Sequence, residues 1–192
     1  MSSRNRTFAA GQYYHIFNRG INRESIFFRK ENYLYYLRLL RKYSQLYFVT
    51  ATAYCLMPNH YHLLLRQDGE VSISKLMQVI ANSYVQGLNK QLGRKGTIFE
   101  GGFKHIHVEK EEYILHLCRY IHLNPVQAGL VRSPEEWAFS NYLEWIGKRQ
   151  GKLKDIDFIS SFFAIPEDYK RFVMELSVEE ELKRKLQPYL LE

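Results

Sequence analysis

The chain has 192 residues, 46% hydrophobic and 24% charged, which fits a soluble globular protein of one domain or one domain with an extension. Its formal charge is +7, and no apolar run approaches the ~18 residues of a membrane helix, so a polyanionic partner is expected and a membrane is not. The excess is uneven: residues 1–132 hold 18 Lys and Arg against 8 Asp and Glu, whereas residues 133–192 hold 9 against 12. Cys55 and Cys118 each sit in an apolar pattern without any paired-cysteine spacing. Buried reduced thiols follow, and with a start (Met-Ser-Ser-Arg-Asn-Arg-Thr) that lacks an apolar signal region, a cytoplasmic location.

In chain order, residues 11–18 alternate as a strand, and Arg19-Gly20-Ile21-Asn22-Arg23 breaks it as a loop. Tyr33, Tyr36, Leu37, Leu40 and Tyr43 recur at three and four residues, which predicts an amphipathic helix over 31–46. A second strand is predicted over 47–56, a turn at Met57-Pro58-Asn59, and a third strand over 60–66. Ser72 or Ser74 caps a long helix over 73–92, and Gly93-Arg94-Lys95-Gly96 forms a basic loop. A fourth strand near 103–109 leads to a helix that opens on Glu111 and Glu112, runs to about 123 and stops at Pro125. This order is the split βαβ, ferredoxin-like pattern, an α+β fold with an antiparallel sheet and helices on one face. Residues 1–132 form the main domain. Residues 133–192 form a helical extension packed on it through Trp137, Phe139, Tyr142 and Trp145.

Two features carry chemistry. His60-Tyr61-His62 opens the third strand, where side chains at i and i+2 share a face, so both imidazoles can reach one metal ion or stand as two ordinary histidines. Tyr120 and Asn124 lie four apart on the third helix, beside an apolar stripe of Ile114, Leu117, Cys118 and Ile121. They can line a cleft, or serve as an interfacial aromatic and a helix C-terminal Asn.

Together these stretches, His60-Tyr61-His62 after Met57-Pro58-Asn59 and Tyr120-Ile121-His122-Leu123-Asn124-Pro125-Val126 with Ala128-Gly129-Leu130-Val131, resemble the single-tyrosine HUH transposases, most of all the REP-associated tyrosine transposases. Asn18-Arg19-Gly20 with Arg23, and Phe99-Glu100-Gly101-Gly102-Phe103-Lys104, resemble that family at the same places, and the match covers about residues 10–145. The resemblance implies that His60, His62 and Asn124 bind Mg²⁺ or Mn²⁺ and that Tyr120 is the catalytic nucleophile. It implies metal-dependent cleavage and rejoining of single-stranded DNA at hairpins through a 5′-phosphotyrosine intermediate, by a monomer or a homodimer. Imidazole ligands alone would have suggested Zn²⁺ or Mn²⁺, since Mg²⁺ favours oxygen.

A DNA backbone needs Lys and Arg. The expected contacts are Arg19, Arg23, Arg94, Lys95, Lys104 and Arg119, with Arg4 and Arg6 as further candidates. His105-Ile106-His107 is a second His-x-His pair and a rival metal site, and His116 stands one helical turn before Tyr120. Rival functions are a catalytically silent hairpin-binding module, an RNA-binding ferredoxin-like sheet, and a metal-dependent nuclease that transfers no strand. The RNA reading lacks the stacking aromatics it needs, because His105 and His107 occupy those positions.

Overall fold

The computed structural model describes residues 8–175 and Gln187, so Arg4, Arg6 and the end of the acidic tail lie outside the described residues. Four strands form one antiparallel sheet in the order β2-β3-β1-β4, with β1 at Tyr13–Arg19, β2 at Val49–Met57, β3 at His60–Gln67 and β4 at Lys104–Val108. Helix α1 (Lys30–Tyr47) joins β1 to β2, and α2 (Ile73–Leu92) joins β3 to β4. Each crossover leaves one strand space that a strand of the other unit fills, which is the expected split βαβ pattern.

Alternation along the strands gives the sheet two apolar faces. Tyr14, Ile16, Tyr54, Leu56, Tyr61 and Leu63 turn toward α1 and α2 and share their core. Ala53, Cys55, Met57 and Leu64 turn the other way, toward α3 (Glu111–Gln127). Helices α1 and α2 thus occupy one face, and α3 lies on the opposite one. Both cysteines are buried and unbridged, in that second core.

Helix α3 runs through Pro125 rather than stopping at it. Proline forfeits only its own bond back to the carbonyl four residues before. The Ala128 N–H donates to the Asn124 carbonyl and the Leu130 N–H to the Pro125 carbonyl, so the last turn still closes. That extra turn keeps Asn124 inside regular helix.

Residues 137–141 run beside β2, where the Leu56 N–H donates to the Phe139 carbonyl and the Tyr54 N–H to Asn141 Oδ1, at 2.9 and 2.8 Å. An exposed strand edge is thereby covered. A register shift between Ala51 and Ala53 frees the Thr52 carbonyl, which accepts from Asn141 Nδ2 (3.0 Å) and Trp145 Nε1 (3.1 Å). Among the described residues three further α-helices follow: α4 (Tyr142–Trp145), α5 (Ile156–Phe162) and α6 (Pro166–Met174). Trp145, Phe158, Tyr169 and Val173 fill the α3 face, and Phe139 stacks on Tyr33 at 3.8 Å.

His122 joins this extension to α3. Its ring is fully buried, with Nδ1 on the Tyr169 hydroxyl and Nε2 on Asn141 Oδ1 at 2.9 Å. Burial pushes its pKa down to about 4, against a bond to Asn141 that acts the other way. The unfolded chain takes up this proton near pH 6.5 and the folded chain only near 4. Stability is therefore full above about pH 6.5, declines as pH falls toward 4, and by roughly 3 kcal/mol at most. Denaturant melts between pH 7 and 4 should show this loss, and His122→Gln should flatten the slope over that window. A variant that tracks the parent would place the pH dependence elsewhere.

Candidate active site

The turn that precedes β3 sets the position of the histidines. Pro58 offers its carbonyl to the Ile26 and Phe27 N–H groups, and the Gly20 N–H donates to the Asn59 carbonyl at 2.8 Å. Asn59 Nδ2 donates to the Arg23 carbonyl at 3.1 Å, which fixes its amide so that Oδ1 meets His60 Nδ1 at 2.7 Å. The His60 Nδ1 therefore carries the hydrogen, and its Nε2 presents a lone pair. That lone pair faces Asn124 Oδ1 at 3.2 Å, so two acceptors point at each other across a short gap.

His62 completes the group. Its Nε2 stands 3.5 Å from Asn124 Nδ2, and its Nδ1 lies 3.0 Å from Nε2 of His15, which is buried beneath it on β1. Burial lowers the pKa of His60 and, more strongly, that of His62; for His62 the neighbouring His15 and His60 add to it. Both rings are therefore held neutral, the state in which imidazole ligates. The Tyr120 ring stands edge-on to His62 with centroids 5.4 Å apart. Arg19, Arg23, His60, His62, Tyr120 and Asn124 all line one cavity of about 300 Å³. The helix that carries Tyr120 packs over the sheet of its own chain, so the histidines and the tyrosine meet within one molecule.

Three comparisons bear on what this cavity belongs to. The family model of IS200-like transposases matches residues 9–124, more than half of the chain. The chain belongs to that family. Among solved structures it is similar to a REP-associated tyrosine transposase bound to a REP hairpin, with a TM-score of 0.65 and 20% identity over 81% of this chain and 94% of the other. A putative transposase from Deinococcus radiodurans aligns with a TM-score of 0.44 and 17% identity over 62% and 95% of the two chains. No curated protein sequence matches. The protein is thus a transposase, a DNA-processing enzyme, with the α+β fold of that first structure. No described helix is long and apolar enough to cross a membrane.

The other expected residues of this transposase fall in different places. Arg19 and Arg23 reach the cavity, and Arg19 is ion-paired with Glu100 at its rim. Lys104 lines a smaller adjoining cavity with Arg19 and Glu100. Arg94 and Lys95 are exposed in the loop after α2, where Arg94 Nη2 donates to the Thr97 carbonyl at 3.4 Å. Arg119 departs from expectation. It is buried, donates from Nε to the Val173 carbonyl at 3.1 Å and lies over the Phe172 ring, so it fastens α3 to α6 rather than meeting a phosphate.

His105 and His107 pair in register with Ile16 and Tyr14 and so share their face, opposite to that of His60 and His62. His107 is engaged with Gln12 Oε1 at 2.9 Å and stacks on Tyr14. His116 packs on Phe172 of α6, and burial lowers its pKa. Among the described residues no group of three His, Cys, Asp or Glu side chains gathers as a metal cluster. The group that stands beside the His60 and His62 pair is the Asn124 amide.

His15 and Asn59 were not singled out from sequence, although each orients one of the two imidazoles. Gly20 has a comparable role in the backbone. A Cβ there would lie 2.1 Å from the Glu24 carbonyl oxygen, so the Arg19–Arg23 loop can close only around glycine. Gly20→Ala should cost ~1–3 kcal/mol, read as a lower Tm. An unchanged melt would show that the loop yields to the methyl group.

Proposed function

We propose that this transposase cleaves and rejoins single-stranded DNA at hairpins, with Tyr120 as the nucleophile and a divalent cation, Mg²⁺ or Mn²⁺, held by His60, His62 and Asn124. The observation that carries the reading is the convergence of the His60 lone pair, the Asn124 carbonyl oxygen and His62 Nε2 beside the Tyr120 ring in one basic-rimmed cavity. The donor set suits a cation. Ligands at ~2.1 Å from one ion lie roughly 3 Å from each other, and His60 Nε2 and Asn124 Oδ1 are 3.2 Å apart. Two neutral imidazoles and an amide leave the full charge of the ion for a phosphate. A bound metal supplies charge neutralisation at the scissile phosphate and orients it.

The residues of the chain do the rest. Arg19 and Arg23 hold the DNA backbone at the mouth of the cavity, and Lys104, Arg94 and Lys95 extend the basic track. The Tyr120 oxygen bonds to phosphorus as the P–O3′ bond breaks; the phenol gives up its proton and the departing 3′ oxygen takes one. The 5′-phosphotyrosine keeps the bond energy of the phosphodiester, so attack by a 3′-OH reverses the step and joins a strand. A hairpin substrate is supported by the REP-associated transposase of similar fold, which was solved bound to a REP hairpin. Residues 1–132 carry this chemistry in the cytoplasm, and Trp145, Phe158, Tyr169 and Val173 of the extension brace the tyrosine helix.

Incubation of the protein with a panel of end-labelled DNA hairpins bearing single-stranded feet, with Mn²⁺, tests the reading. A denaturant-resistant protein–DNA adduct that vanishes with EDTA is the expected result. Binding without an adduct across the panel would leave a silent hairpin-binding module, and cutting without an adduct would indicate a metal-dependent nuclease.

A further inference from the structure

A second cavity, of about 460 Å³, is larger than the one that Tyr120 lines. It is a groove on the other face of the sheet, between α2 and the loop of residues 96–103. Its floor is apolar, with Tyr61, Met77 and Phe99 all buried. Gln78, Asn82 and Gln86 stand along one wall, each one helical turn from the next, and all three are exposed. Phe103 and the backbone at Gly101 and Gly102 form the opposite wall, where a Cβ on either glycine would meet nothing within 4 Å. Among the described residues no charged side chain lines it.

Charge stands at the ends instead. Arg94 reaches the carbonyl of Thr97, a lining residue, at one end. At the other, a cavity of about 190 Å³ shares Asn18, Gly101 and Gly102 with the groove and Arg19 with the Tyr120 cavity, and Lys104 lines it. This passage connects the two sites around the end of β1, and its charged lining is Lys104 together with Arg19 and the Glu100 carboxylate that pairs with it.

We propose that this groove receives an unpaired base of the same DNA strand whose phosphate enters the Tyr120 cavity; the proposal rests on the DNA-cleaving function above. A nucleobase is neutral and flat, with donors and acceptors on its edge. An uncharged slot with an aromatic wall and a row of side-chain amides matches it, because amides supply both donors and acceptors and aromatic rings stack on any base. The phosphates on either side of that base would meet Arg19 and Lys104 in the passage and Arg94 beyond it. The groove's volume falls within the ~300–1,000 Å³ usual for small-ligand pockets.

The double substitution Asn82→Ala with Gln86→Ala tests this at exposed helix positions, where alanine preserves the helix. Fluorescence anisotropy would give Kd for a hairpin that the intact protein converts to adduct, with an abasic site walked along its single-stranded foot. The parent should lose about tenfold in affinity at one position. The double variant should bind the intact strand as weakly as the parent binds that abasic strand and should show no further loss there, while abasic penalties elsewhere persist. An equal penalty at every position in both proteins, or none in the parent, overturns the assignment. The parent's adduct, measured in the same samples, separates the two levels: adduct without groove dependence removes only this proposal, and absence of both adduct and binding removes both.

Discussion

Tyr120→Phe is expected to abolish the protein–DNA adduct and to lower strand cleavage by more than about 10³-fold, while hairpin binding persists. The substitution removes one oxygen and keeps the ring that stands edge-on to His62, beside the side chains of His60 and Asn124. Loss of a covalent nucleophile closes the route through the intermediate rather than slowing one step of it. An adduct that survives in Tyr120→Phe would move the nucleophile to another residue. Retained cleavage without adduct would mean that water attacks the phosphate and that the tyrosine only lines the cavity. The measurement is a denaturing gel of labelled hairpin DNA with Mn²⁺, beside an anisotropy titration that verifies binding.

Much of this site is visible in the sequence because both halves obey simple periodicities. His60 and His62 share a strand face, and Tyr120 and Asn124 share a helix face, whatever the rest of the fold does. The strand and helix order likewise follows from alternation and three-to-four spacing. What spacing cannot say is which helix covers which face. That depends on the apolar residues Cys55, Met57 and Leu64, which sit on the histidine face of the sheet and draw α3 over it. Arg119 shows the same limit. It is adjacent to Tyr120 in sequence, yet each helical residue turns about 100° from the last, which sends its guanidinium into α6 instead of the cavity. Pro125 looks like a helix terminus, but in a last turn it removes a single hydrogen bond and the helix passes through it. His15 is the least legible of the site residues, since a lone histidine in a first strand says nothing about a ring 47 positions later until the β1–β3 register is known.

His60→Ala is expected to reduce cleavage by more than ~100-fold at fixed Mn²⁺ and to raise the Mn²⁺ concentration needed for half-maximal rate, with little change in Tm. His60 is only partly buried, so the fold loses one bond to the Asn59 side chain while the cavity loses a donor. His105→Ala should leave the Mn²⁺ dependence intact, because its ring lies across the sheet from the Tyr120 cavity. Equal activity of His60→Ala and the parent would remove the metal from this cavity. His15 supplies a graded version of the same test. It touches His62 on the nitrogen that faces away from Asn124, where it can accept the Nδ1 hydrogen and so keep Nε2 free to ligate. Groups in that position typically contribute ~10–100-fold to metal affinity or activity. His15→Ala should therefore fall between the parent and His60→Ala, and His15→Gln, whose amide oxygen can still accept that hydrogen, should recover part of the loss. A ring that merely filled space would be rescued better by His15→Phe than by His15→Gln, so the order of these two variants decides whether the contact between His15 and His62 orients a ligand or only packs beneath it.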